Sequence, residues 1–127
     1  MDVDIKNTFV IDASFVLAFL LDEHNTRVES IFKKQARREI NFIAPSILKY
    51  EVGNSLRTKL LRKKLKKERA QKLYQSFLAI NIKEEALDFY DVLGVALEKN
   101  LSFYDASYLY LAKNNKISLL SLDHSLK

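Results

Sequence analysis

Four short runs rich in β-branched and aromatic residues lie well apart along this chain, at Thr8–Ile11, Asn41–Ala44 and residues 79–83 and 117–120. Between them apolar residues recur at helical spacing. Strands that alternate with helices predict a parallel sheet covered on both faces, a three-layer α/β/α arrangement of the α/β class. At 127 residues the chain has room for one domain with a real core, spanning 1–127, and too little for two ordinary ones.

The intervening helices can be placed from their caps and periodicity. Ser14 offers an N-cap for a helix over 15–21, and a second amphipathic helix covers 25–38. Pro45-Ser46 opens a long helix to about Lys63, and a strongly basic helix follows over 66–78. From Glu85 to Lys99, Ala86, Tyr90, Leu93 and Leu97 give helical spacing, and Ser102 caps a last helix through Asn114.

Each of four acids stands at or just beyond an apolar run: Asp12, Glu51, Asp105 and Asp123. In parallel sheets ligands bind outside the carboxyl ends of the strands, where the strand order reverses, so all four can face one cleft. Converging carboxylates repel one another unless a cation sits between them, which points to a hard metal and an anionic substrate. Each acid also has a plainer reading. Asp12 fits a turn that accepts helix N–H groups, and Ser102-Phe103-Tyr104-Asp105 has the S-x-x-D form of a capping box. Asp123 with Ser121 fits a turn. The joint case is stronger, because independent turns and caps need not fall near one predicted edge.

Glu51, Asn54, Ser55 and Thr58 form a polar stripe at i, i+3, i+4 and i+7, beside apolar Val52, Leu56 and Leu60. A solvent face is the plain reading of such a stripe. The helix's own cations, Lys49, Arg57, Lys59 and Arg62, lie off it, and small polar residues beside a glutamate suit a partly enclosed site.

The chain has no cysteine, which excludes a disulfide framework, a thiolate zinc site and a cysteine nucleophile. With only His24 and His124, a histidine zinc site or a serine triad has almost nothing to recruit. No apolar stretch reaches the roughly 20 residues of a membrane span, and Met1-Asp2-Val3-Asp4 is acidic where a signal peptide is basic. A soluble, cytoplasmic protein is expected. The formal charge of +5 favours phosphate-bearing partners.

Several blocks together resemble a PIN domain, most closely the small VapC-type toxin nucleases. They are Val10-Ile11-Asp12-Ala13-Ser14, Pro45-Ser46 with Tyr50-Glu51-Val52-Gly53-Asn54, Tyr104-Asp105-Ala106-Ser107-Tyr108-Leu109 with Leu111-Ala112, and Leu120-Ser121-Leu122-Asp123. They occur in family order and span almost the whole chain. The resemblance implies a metal-dependent endoribonuclease that hydrolyses RNA in line, leaving a 5′-phosphate and a 3′-hydroxyl. Carried over by position, Asp12, Glu51, Asp105 and Asp123 are the acidic quartet, with Ser14, Asn54 and Ser121 as polar support. Asp12 and Asp105 are then the direct Mg²⁺ or Mn²⁺ ligands, with Glu51 and Asp123 acting through water or on a second ion. The same resemblance implies an antitoxin partner and a homodimer. Family members usually continue through another helix and an edge strand, so a chain ending at Lys127 is either a shortened piece or a compact variant.

A basic stretch holds Arg57, Lys59, Arg62, Lys63, Lys64, Lys66, Lys67, Arg69 and Lys72 against the single acid Glu68. It reads either as a solvated helical hairpin or as a grip on the RNA backbone. Tyr50, Tyr104 and Tyr108 are either core residues or stacking platforms for bases. Two rival functions stand beside the nuclease. A haloacid-dehalogenase-like phosphatase wants a second Asp where this chain has Ser14. A non-catalytic module that binds RNA or protein has no need to tolerate four repelling acids.

Overall fold

The structure, a computed structural model, describes residues 7–126; the acidic N-terminal residues Met1 to Asp4 lie outside this range. The expected alternation is present as β1 (Thr8–Ile11), α1 (Ala13–Leu20), α2 (Thr26–Ala36), β2 (Asn41–Ala44), α3 (Ile47–Leu61) and α4 (Lys67–Ala79). β3 (Ile82–Glu84), α5 (Phe89–Lys99), α6 (Phe103–Asn115) and β4 (Ser118–Leu120) follow, with a 3₁₀ turn at His124–Leu126. The four strands pair in parallel in the order β3-β2-β1-β4.

This order fixes which face each helix covers. From β1 to β2 to β3 the chain steps in one direction, and from β3 to β4 it crosses back over the whole sheet. Right-handed crossovers therefore put α1 to α4 on one face and α5 and α6 on the other. The packing agrees, since α1 meets α2, α3 and α4, while α6 lies on β1 and β4 and carries α5 outside it. The α/β class and the covered parallel sheet read from the sequence are what is observed.

β1 is nearly wholly buried, which is why it reads as continuous Phe-Val-Ile without alternation. One layer of the core is aromatic: the Phe32 ring stacks 6.1 Å from Phe15 and meets Phe42 edge-on at 5.2 Å. Gly53 brings α3 and α4 together. A Cβ there would lie 3.3 Å from the Tyr74 ring, whose hydroxyl donates to the Lys49 carbonyl at 2.8 Å.

Several boundaries differ from the sequence reading, each for a local reason. α1 begins at Ala13, capped by Asp12 rather than Ser14, because Asp12 Oδ1 accepts the Phe15 N–H at 3.1 Å. β3 is displaced from 79–83 to Ile82–Glu84, since burial of Leu73 and Phe77 keeps α4 helical through Ala79. α5 starts at Phe89 rather than Glu85: Asp88 caps it, and the Glu85 N–H extends the sheet by donating to the Ala44 carbonyl at 3.1 Å. The apolar stripe on α5 faces outward, with Tyr90 86% and Leu97 75% exposed, while the buried face is Val92 and Ala96 against Ala106 of α6. Two apolar faces share this helix, and periodicity cannot say which of them packs.

Arg38, Lys63, Asn100 and Lys116 close four helices with φ between 53 and 63°. In each case the next N–H donates back into the helix, as Lys64 does to Lys59 at 2.9 Å. These are Schellman closures made without glycine, which fits a chain with only two glycines.

Candidate active site

The strand order reverses between β1 and β4, so the loops leaving these two strands part to opposite sides and open a crevice at their carboxyl ends. Asp12 follows β1 directly, and its backbone N–H donates to the Leu120 carbonyl of β4 at 3.2 Å. The side chain is 4% exposed. Oδ1 accepts both the Phe15 N–H at 3.1 Å and the Ser14 hydroxyl at 2.7 Å. Oδ2 makes no hydrogen bond among the described residues, so capping the helix uses only half of this carboxylate.

Ser14 ties the two strand ends together. Its Oγ gives its proton to Asp12, accepts the Leu122 N–H at 2.9 Å and lies 3.4 Å from the buried Ser121 hydroxyl, which must then be the donor between them. Ser121 Oγ in turn accepts the Asp123 N–H at 2.9 Å. Ser14 and Ser121 thus hold the loop after β4 against the start of α1, and with it Asp123.

Asp105 stands in the first turn of α6. Its backbone N–H donates to Ser102 Oγ at 3.0 Å, but no reciprocal bond from its carboxylate to the Ser102 backbone exists among the described residues. Only half of the capping box forms, and the carboxylate is left to the crevice. Glu51 comes from the first half of α3 and is half-buried; its Oε1 accepts the Tyr108 hydroxyl at 2.5 Å. Tyr108 itself is buried, which rules it out as a stacking platform. Burial first, and then the Glu51 carboxylate, push its phenol well above the ordinary value, so it keeps its proton and donates. The signal for this role was its i+3 spacing from Asp105, which puts both on one side of α6.

Electrostatics register the acids as neighbours. The carboxyl of Glu51 is raised, by burial first and then by the charges of Asp105 and Asp12, despite the opposing Tyr108 bond. That of Asp105 is raised by burial and then by Asp123 and Asp12, against an opposing side-chain hydrogen bond with Ser102. Asp123 is exposed and lowered, because Ser125 donates to Oδ1 from both its hydroxyl, at 2.8 Å, and its backbone N–H, at 3.0 Å. Of the remaining expected residues, Asn54 is exposed and makes no hydrogen bond among the described residues. Ser55 and Thr58 of the same stripe are half-buried.

All the side-chain groups gathered here are oxygens, the donor set of Mg²⁺ or Mn²⁺ rather than of a thiolate or imidazole metal. The one set of three donors within 4.8 Å of each other among the described residues lies elsewhere, at Asp22 and His24 in the turn before α2 and Glu29 in its first turn. Acids that are coupled without touching suit Mg²⁺, which retains several waters between itself and outer carboxylates.

An acid whose folded pKa is raised binds more protons in the fold than in the unfolded chain. Metal-free stability should therefore fall as pH rises from the ordinary carboxylate range through the raised values of Glu51 and Asp105. Asp123 acts in the opposite sense but is exposed and weakly felt. Glu51→Gln, which keeps an acceptor for Tyr108, is expected to raise the metal-free Tm at neutral pH by a few degrees and to flatten this fall. Thermal melts in EDTA from about pH 4 to 8 check it; a lower Tm for the variant at every pH would show that Glu51 stabilises the apo fold.

A family model for the PIN domain matches residues 9–127. Ribonuclease VapC3 of Pyrobaculum aerophilum is 30% identical over 121 residues, which are 92% of this chain and 90% of that protein. Among solved structures, PAE2754 from Pyrobaculum aerophilum superposes with a TM-score of 0.76 at 23% identity, covering 94% of this chain and 82% of that one. Mycobacterium tuberculosis VapC20, a sarcin-ricin loop cleaving toxin, superposes with a TM-score of 0.59 at 16% identity, covering 93% and 92%. The two structures share the fold, while the family model and the VapC3 match reach further. With a parallel sheet whose reversal point gathers acidic side chains, and with the family's pattern running through nearly every element, the chain belongs to the PIN-domain family.

Proposed function

We propose that this chain is a metal-dependent endoribonuclease and the toxin of a toxin-antitoxin pair. The observation that carries the reading is the convergence of Asp12, Glu51, Asp105 and Asp123 on one crevice beyond β1 and β4, where burial first and the neighbouring acids after it raise Glu51 and Asp105. VapC3, a ribonuclease by name, and the toxin VapC20 support the substrate class and the toxin role.

Asp12, through its unbonded Oδ2, and Asp105, whose carboxylate makes no bond to the Ser102 backbone, would hold Mg²⁺ or Mn²⁺ directly. Glu51, oriented by Tyr108, and Asp123 would hold its waters. A bound ion supplies polarisation of the scissile phosphate and a lowered pKa for the attacking water. Ser14 and Ser121 keep the β1 and β4 ends in register so that Asp12 and Asp123 face the same phosphate. Exposed Arg57, Arg62, Lys63, Lys64, Lys66 and Lys67, with half-buried Lys59, line the α3–α4 hairpin, and none of them forms an ion pair among the described residues. They remain available to RNA phosphates.

The outward stripe of Tyr90, Leu93 and Leu97 on α5 supports a homodimer, since a surface this apolar needs a cover. Among the described residues no helix is long and apolar enough to cross a membrane, and a cytoplasmic location fits the substrate. The alternative, a non-catalytic module binding RNA or protein, leaves the raised carboxylates without a purpose.

The test is cleavage of RNA by the purified chain. Mg²⁺ or Mn²⁺ is expected to support endonucleolytic cuts bearing 5′-phosphates, and EDTA to remove them. Full activity in EDTA, or none with either metal, would sink the proposal.

A further inference from the structure

Beside the acidic crevice lies a second feature that no part of the metal chemistry uses. A hollow of about 190 Å³ is walled by Tyr50, Phe89, Phe103 and Tyr104, with the hydroxyl-bearing Ser46 and Ser107 among its lining residues. Tyr50 is 73% exposed and Tyr104 57% exposed. Phe89 and Phe103 stack on each other with centroids 6.2 Å apart, but neither tyrosine ring meets another ring, and neither tyrosine hydroxyl is hydrogen-bonded among the described residues. Four aromatic side chains gathered in one open hollow, two of them largely exposed and paired with no other ring, are what a protein surface normally avoids unless something flat is to lie there.

Position says what that something is. Tyr50 immediately precedes Glu51 on α3, and Tyr104 immediately precedes Asp105 on α6. Consecutive helix residues diverge by about 100°, so each helix presents an acid toward the crevice and an aromatic ring toward its flank. A ligand whose phosphate sits at the acids must carry its neighbouring group past these rings. In RNA that group is a base.

We propose that this hollow is a stacking subsite for an unpaired nucleobase next to the scissile phosphate, with Tyr50 and Tyr104 as its platforms. The proposal rests on the ribonuclease reading for the identity of the ligand. It gives the site an anchor that its charge lacks: the acids repel a phosphate until a cation arrives, whereas stacking on an aromatic ring is indifferent to that repulsion. The Ser107 hydroxyl is already committed to the Phe103 carbonyl at 2.9 Å, which leaves the exposed tyrosine and Ser46 hydroxyls, able to donate or accept, so the subsite selects single-stranded over paired RNA while tolerating any base.

The experiment measures binding of a fluorescein-labelled, mixed-sequence single-stranded oligoribonucleotide by anisotropy in EDTA, with RNA integrity checked on a gel. Two further probes are the same backbone with abasic residues and the same sequence as a duplex. Tyr50→Ala and Tyr104→Ala are each expected to weaken single-strand binding about tenfold, and Tyr50→Trp to preserve it. Neither alanine variant should alter binding of the abasic or duplex probe. Equal affinities for wild type and both alanine variants would overturn the proposal. So would parallel losses on the base-bearing and abasic strands, which would mean a backbone or folding effect. Unchanged RNA affinity together with altered sedimentation would overturn it too, assigning the rings to a protein interface. Cleavage with Mg²⁺ is scored separately. Ring-dependent binding without any cleavage sinks only the nuclease reading, and metal-dependent cleavage with ring-independent binding sinks only the stacking subsite.

Discussion

Asp12→Asn is expected to lower metal-dependent RNA cleavage by about 10³-fold or more, some 4 kcal/mol of transition-state stabilisation, and Asp105→Asn to do the same. The fold should survive both changes. An asparagine at position 12 still presents an oxygen to the Phe15 N–H and the Ser14 hydroxyl, the two bonds that make Asp12 the cap of α1. The cap contact of Asp105 runs through its backbone N–H, and asparagine keeps an oxygen for the side-chain contact with Ser102. Removing a charge from a self-repelling cluster should, if anything, firm the metal-free protein. Initial rates on a labelled RNA at saturating Mg²⁺, beside melting curves in EDTA, decide the matter. Activity within tenfold of wild type would remove Asp12 from the direct ligands, and a collapsed melting transition would show that its role is the helix cap.

Reversing Lys63, Lys64, Lys66 and Lys67 to Glu together is the second large change, with an expected loss of about a hundredfold or more in RNA affinity at low salt. These side chains are exposed and free of ion pairs among the described residues, so nothing in the fold depends on their charge. The physical basis is counterion release: each phosphate contact on a single strand contributes about 0.7 to the slope of log affinity against log salt. The variant should therefore show a shallower slope, and the gap to wild type should close as salt rises. The increase in Tm on adding Mg²⁺ should be the same for both proteins, because the hairpin is not part of the metal site. Unchanged affinity at low salt would reduce the hairpin to a solvated surface.

The parts of this molecule that were readable in advance share a cause. β1 and β2 are buried on both faces, so their sequences are apolar runs that no solvent-facing alternation interrupts. Ser102 caps α6 as expected, since that bond joins residues three apart and needs nothing from elsewhere. Where the reading failed, a distant contact decided. Ser14 has the composition of an N-cap, but its hydroxyl accepts the Leu122 N–H, 108 residues away, and the cap passes to Asp12. The 79–83 run looks like a strand, yet pairing with β2 fixes β3 by matching Ile82 to Phe42 and Glu84 to Ala44. The stripe of Tyr90, Leu93 and Leu97 has the spacing of a core face, but α6 packs against Val92 and Ala96 on the other side.

The candidate site divides the same way. All four acids were visible as residues at strand ends and helix starts. The sequence by itself determined the α/β class, the identity of these acids and the basic hairpin, because each is written in local composition and period. Only the tertiary structure decided that half of the Asp105 capping box stays open, that Tyr108 is a buried donor to Glu51 rather than a stacking ring, and that Tyr50 and Tyr104 share a hollow with Phe89 and Phe103. These outcomes depend on how helices from opposite faces of the sheet meet over the reversal point between β1 and β4, and an interaction between residues 57 positions apart leaves no trace in the periodicity of either segment.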